Sequence, residues 1–160
     1  MRDTRCLIAY LDKPGFGGLT VKAFKTSRKI LASPQAVFDA FSNEELLAEW
    51  WGPAGFTNTF DVFEFKNGGK WSFVMHGPDG KDYENESKFI EIVPEQKVVI
   101  YHSSEPKFTL TITIKDIGNG SILNWVQAFE NEALAYNMAH IVEPSNEQNL
   151  NRLAAVVCIN

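Results

Sequence analysis

The chain has 160 residues, of which 44% are hydrophobic and 22% charged, with a net charge of −5. That is the size and balance of one globular domain, able to bury roughly 70% of its unfolded surface without staples. The acidic balance, with no long Lys/Arg run, argues against a nucleic-acid or anionic-membrane partner. No stretch approaches the roughly 18 consecutive apolar residues of a membrane-spanning helix.

Residues 1–20 read as a lead-in of unknown role, either a short helix or an extra strand, broken by Pro14-Gly15-Phe16-Gly17-Gly18. The apolar run Cys6–Tyr10 is too short for a signal-peptide core, so the expected location is cytoplasmic. Residues 21–160 read as a single domain. Val21–Leu31 favours a strand. Ser33 is an N-cap candidate, and Pro34 suits the first helical position. Val37, Phe38, Ala40 and Phe41 make the apolar face of that helix. Ser42 or Asn43 can cap a second short helix with Leu46, Leu47, Trp50 and Trp51 as its apolar positions, stopped at Gly52-Pro53.

The pattern then turns to period two. Strands are expected at Thr57–Phe65, Lys70–His76, Asp82–Val93, Val98–Ser103, around Phe108–Ile114, and at Ser121–Phe129. Turn signals separate them at Asn67-Gly68-Gly69, Gly77-Pro78-Asp79-Gly80 and Gly118-Asn119-Gly120. Helical spacing returns at Ala133–Val142. Pro144-Ser145 is expected to interrupt it, Ser145 or Asn146 can cap a final helix, and Ser145 with Gln148 fits a capping box. Leu150, Leu153, Ala154 and Val157 form an apolar stripe on that helix. Hairpin-linked strands imply an antiparallel sheet, and one apolar face of it needs cover from the terminal helix.

These residues resemble a family. Ala32-Ser33-Pro34, Trp50-Trp51-Gly52-Pro53 with Gly55-Phe56-Thr57, Gly68-Gly69-Lys70-Trp71, Phe73 to Gly80, Asn85-Glu86-Ser87, and Asn146 to Leu150 with Arg152-Leu153 occur in the expected order over residues 21–157. The chain resembles the START-like (SRPBCC) superfamily, and more closely bacterial relatives of the C-terminal domain of the activator of the heat-shock-protein-90 ATPase. The resemblance implies an α+β helix-grip fold: a curved seven-stranded antiparallel sheet around a long C-terminal helix, two short helices after the first strand, and a cavity between sheet and helix. It implies little about chemistry, because this superfamily includes carriers, receptors, cyclases and co-chaperone domains.

Within that frame, Trp51, Trp71, Phe73, Met75, Phe89, Phe108 and Trp125 are candidates to line a pocket for a small apolar or amphipathic ligand. The competing account is that they fill the core. His76, Tyr83, Glu86, His102, Asn124 and Gln127 are the polar candidates, and His76 with Glu86 is the one pair suited to general acid–base chemistry. If both faced solvent, a cyclase- or dehydratase-like enzyme would lose its candidates. Trp50-Trp51-Gly52-Pro53 suits either a guard at a pocket mouth or a plug anchoring the short helices. His140 is expected at the surface.

No metal or cofactor is expected. The histidines and the pair Cys6 and Cys158 show no ligand spacing, and no phosphate loop or serine nucleophile motif is present. A Cys6–Cys158 bridge is conceivable, since termini often lie close. The leading expectation is non-catalytic ligand binding. An enzyme and a chaperone-interacting domain are the alternatives, and a homodimer is left open.

Overall fold

The computed structural model describes residues 23–158, together with the backbone of residues 5–9. In chain order the elements are β1 (Arg5–Ala9), β2 (Ala23–Ile30), α1 (Pro34–Ser42), α2 (Glu44–Trp50), β3 (Thr57–Phe63), β4 (Lys70–His76), β5 (Asp82–Val93), β6 (Lys97–His102), β7 (Phe108–Asp116), β8 (Ser121–Phe129) and α3 (Glu132–Val157). The sheet runs β1-β2-β8-β7-β6-β5-β4-β3, antiparallel at every pairing. The expected seven strands are β2–β8. Residues 5–9 add an eighth at the β2 edge, with Cys6 opposite Thr26. Cys158 is a free thiol.

Local chemistry sets the helix ends. The Ser33 hydroxyl accepts from the Ala36 N–H at 3.2 Å, and Pro34 takes the first helical position, where no N–H is needed. Asn43, rather than Ser42, caps α2 by accepting from Leu46 N–H at 3.1 Å. Gly52, at φ +96°, turns the chain out of α2 in a conformation that side chains resist.

The strands alternate, so one face of the sheet is inner and apolar. Trp71 and Phe73 on β4, Phe89 on β5, Ile100 on β6, Leu110 and Ile112 on β7, and Leu123 and Trp125 on β8 all point to it. The register shifts between Phe60 and Val62 on β3 and between Phe89 and Glu91 on β5. Such bulges bend a strand and help the sheet curve around its cover.

That cover is α1, α2 and α3. The expected break at Pro144 does not occur: α3 is one continuous helix with Pro144 inside it. Pro144 withholds a single N–H, which would have gone to the carbonyl of His140. Both residues are exposed, so water can take up that carbonyl. Meanwhile Val142, Asn146, Asn149, Leu150 and Leu153 are all buried. Tertiary burial of this stripe outweighs the local preference for a break.

Candidate functional site

The inner face is centred on tryptophan. Trp51, just past the end of α2, places its ring 4.9 Å from Trp71, 5.9 Å from Trp125 and 5.5 Å from Trp50. Trp71 in turn stacks on Phe73 at 4.3 Å and on Phe89 at 5.6 Å. Trp50 is anchored, its Nε1 donating to the Ala40 carbonyl at 2.8 Å. Trp71 and Trp125 are different: their indole N–H groups are buried and meet no acceptor among the described residues. A buried donor without an acceptor costs about 1–3 kcal/mol, so two of them in one core need an explanation.

A polar belt crosses the same face. It comprises Thr26 on β2, Ser87 on β5, His102 on β6, Gln127 on β8, and Asn146 and Asn149 on α3, all buried. These six keep 4–8% of their surface accessible, whereas Trp71 keeps 0% and Trp125 2%. Besides the main core there is a smaller cluster of Phe24, Phe129, Ala135 and Val142, and Phe108 packs against both. Asn146 Nδ2 donates to Gln127 Oε1 at 3.0 Å. His102 stacks on Phe108 at 4.5 Å, with Nδ1 2.9 Å from the Pro106 carbonyl and Nε2 2.8 Å from Asn85 Oδ1. A carbonyl can only accept, so Nδ1 carries a proton. Burial pushes the His102 pKa below its ordinary value, against the opposing effect of the Pro106 carbonyl.

The segment carrying Trp51 is strapped to α3. Arg152 Nη1 donates to the carbonyls of Trp51, Gly52 and Pro53 at 3.2, 2.9 and 2.9 Å, and Nη2 to those of Glu49 and Phe56 at 2.7 and 2.9 Å. Asn149 Oδ1 accepts from Gly52 N–H and Gln148 Oε1 from Ala54 N–H. Asn58 Nδ2 donates to the Ala48 and Trp51 carbonyls. Two stretches that carried the family resemblance, Trp50–Pro53 and Gln148–Arg152, are therefore bonded to each other. At the belt's β2 edge Arg28 pairs with Glu147 at 2.9 Å and donates to Asn151 at 2.7 Å.

Of the residues singled out from sequence, Trp51, Trp71, Phe73, Phe89, His102 and Trp125 are buried on the inner side, with Met75 and Phe108 partly buried beside them. Tyr83 shares their strand face but lies at an exposed end, 6.1 Å from Phe56. His76 and Glu86 point to the outer face. His76 bonds Asp82 Oδ1 at 2.7 Å and Thr59 Oγ1 at 2.8 Å, while Glu86 meets Ser72 at 3.1 Å and Lys70 at 3.4 Å. The two therefore have separate partners away from the tryptophans. Gln127 joins the belt, whereas Asn124 faces out beside Thr113. His140 is exposed. Sequence reasoning did not single out Thr26, Ser87, Asn146 and Asn149 as site residues. Among the described residues no group of three or more His, Cys, Asp or Glu side chains is placed to hold a metal ion, and no helix is long and apolar enough to cross a membrane.

A family model described as Activator of Hsp90 ATPase homolog 1-like protein matches residues 31–157. Solved structures of similar shape come from several bacteria. A solution structure of an Arthrobacter aurescens protein has a TM-score of 0.78 at 23% identity, covering 84% of this chain and 85% of that one. A crystal structure of a Chromobacterium violaceum protein has a TM-score of 0.78 at 23% identity, covering 87% and 99%. A Mycobacterium smegmatis protein, at 16% identity and a TM-score of 0.74, covers 99% of this chain and 98% of its own. At these identities the likeness is one of fold. No curated protein matches the chain.

Proposed function

The chain belongs to the Activator of Hsp90 ATPase homolog 1-like protein family, and on that premise we propose that it holds a small apolar or amphipathic molecule, without transforming it, between the inner face of the sheet and α3. The observation that carries this reading is the pair of buried, acceptor-less indole N–H groups of Trp71 and Trp125. A core that only needed filling would use Phe or Leu there at no polar cost. Two donors beside Trp51, next to a belt of amides, hydroxyls and one imidazole, instead suit an apolar body with an accepting atom at one end. Small-molecule sites combine apolar walls with a few placed polar groups in this way.

The non-catalytic part of the proposal is supported by what surrounds the tryptophans. His76 and Glu86 lie on the other face of the sheet, bonded to Asp82, Thr59, Ser72 and Lys70. The buried His102 is held between Asn85, Pro106 and Phe108, and its hydrogen-bond partners are uncharged. General acid–base work needs a titrating pair within hydrogen-bond reach of the substrate.

The test combines two measurements on the intact purified protein: native against denaturing mass spectra, and a thermal-shift screen of small neutral amphiphiles. An excess mass lost on denaturation, or a saturable rise in Tm, supports the proposal. A protein of bare mass that none of the compounds stabilises contradicts it.

A further inference from the structure

The belt beside the tryptophans is notable for what it is made of. The buried polar side chains among the described residues are Thr26, Ser87, His102, Ser121, Gln127, Asn146 and Asn149. No Asp, Glu, Lys or Arg is buried among them. The charged groups bonded to this region are already committed. Glu147 takes the Thr26 hydroxyl and pairs with Arg28 at 2.9 Å, although the Arg28 Nε lacks an acceptor, and the Arg152 guanidinium donates to five backbone carbonyls. An ionised group brought against Trp71 and Trp125 would leave water and find no counter-ion. The indole N–H groups are donors only, so they call for an acceptor. The Asn and Gln amides and the Ser and Thr hydroxyls both donate and accept, so they suit a neutral oxygen function equally well.

We infer that the molecule held on the inner face is an electrically neutral amphiphile, with a carbonyl, ether or hydroxyl oxygen directed at Trp71 and Trp125, and not a carboxylate, phosphate or ammonium compound. This rests on the binding reading above and adds to it the charge and hydrogen-bonding class of the ligand. Its oxygen is the acceptor that the buried indole N–H groups lack, and its apolar remainder lies along Phe73, Phe89 and Trp51, which pack against these indoles.

Three probes of one chain length separate the inference from the reading beneath it. Decan-1-ol, decanoate and decylammonium are titrated into the full chain at pH 7.5, below their aggregation concentrations, and followed by tryptophan fluorescence and native mass spectrometry. The expected result is saturable binding of decan-1-ol, with both ions weaker by about tenfold or more. Binding of either ion as tight as that of decan-1-ol would overturn the neutral-ligand inference and leave the binding reading standing. No binding of any of the three would sink that reading, and the inference with it. Two variants localise the effect. Gln127→Glu places an anion in the belt and is expected to move the preference toward decylammonium. Trp71→Phe with Trp125→Phe keeps a smaller aromatic ring at each position and removes both donors, so an unchanged decan-1-ol affinity in this folded double variant would overturn the role given to the indoles.

Discussion

Arg152 gives the sharpest test of how the segment carrying Trp51 is held. Its guanidinium reaches the carbonyls of Glu49, Trp51, Gly52, Pro53 and Phe56 at 2.7–3.2 Å, with no carboxylate in the set. Burial pushes its pKa below the ordinary arginine value. A hydrogen bond with one charged partner is worth about 1.5–3 kcal/mol net. Five such bonds are not additive, because they share one cation and because carbonyls near the surface regain water when it is removed. The loss expected for Arg152→Met, which keeps much of the apolar stem, is therefore about 3 kcal/mol. For 160 residues the unfolding entropy near Tm is about 0.34 kcal/mol/K, so Tm should fall by about 9 °C. Arg152→Lys should recover less than half of this, since an ammonium has three donors and no planar fork. Urea unfolding followed by tryptophan fluorescence reads both variants. In Arg152→Met the Gly52 N–H, which donates to Asn149 Oδ1 at 3.2 Å, should also exchange faster with solvent as the unstrapped segment opens more often. A loss below about 1 kcal/mol, or full recovery by lysine, would refute the strap.

Three further outcomes follow from single residues. His102 has a folded-state pKa below its unfolded value, which is near 6.5. The unfolded chain therefore binds more protons there, and stability is lost as pH falls below about 6.5 until the folded pKa is passed, at no more than about 1.4 kcal/mol per pH unit. Comparing urea midpoints at pH 7.5 and 5.5 checks this, because His102→Gln should flatten the difference; an equally steep variant would show that other groups cause it. Gly52→Ala should cost about 1–3 kcal/mol: Gly52 sits at φ +96°, and an added Cβ would lie 2.6 Å from Met75 Cε and 3.3 Å from Phe56 Cβ. A neutral result in thermal melts would mean that the loop relaxes freely. Pro144→Ala should raise stability by about 1–2 kcal/mol, because it restores an interior N–H on the exposed side of α3. A drop in Tm would instead show that the proline sets a bend α3 needs to reach the sheet.

Much of the fold was legible because turn chemistry and period-two alternation agree along the chain. β4 and β5 run over Lys70–His76 and Asp82–Val93 as read from sequence, and Ser33-Pro34 opens α1. The same alternation also carried information about the site. If Trp71, Phe73 and Met75 face inward, His76 faces out; if Phe89 faces inward, so does Ser87, and Glu86 does not. Other features were hidden for physical reasons. The bulges at Phe60–Val62 and Phe89–Glu91 shift the alternation without a glycine to announce them. The belt was missed because Pro144 read as a break, which left Asn146 as a cap rather than an inward position. On one continuous helix, residues 142, 146, 149, 150 and 153 share a stripe, and the two asparagines then stand out as polar residues in an apolar row. Nothing in the one-dimensional pattern shows that Arg152 would gather the carbonyls around Trp51, since backbone acceptors leave no residue signature.

The central claim is that Trp71 and Trp125 offer their indole N–H groups to a bound molecule, and nitrogen-edited NMR of the four tryptophan side chains tests it most directly. The indole resonances are assigned by single Trp→Phe variants, and decan-1-ol is then titrated to saturation. The Trp71 and Trp125 signals should move downfield as they acquire an acceptor, while Trp50, already bonded to the Ala40 carbonyl at 2.8 Å, stays in place as an internal control. If Trp71 and Trp125 remain where they were at saturation, or move no further than Trp50, the account is contradicted.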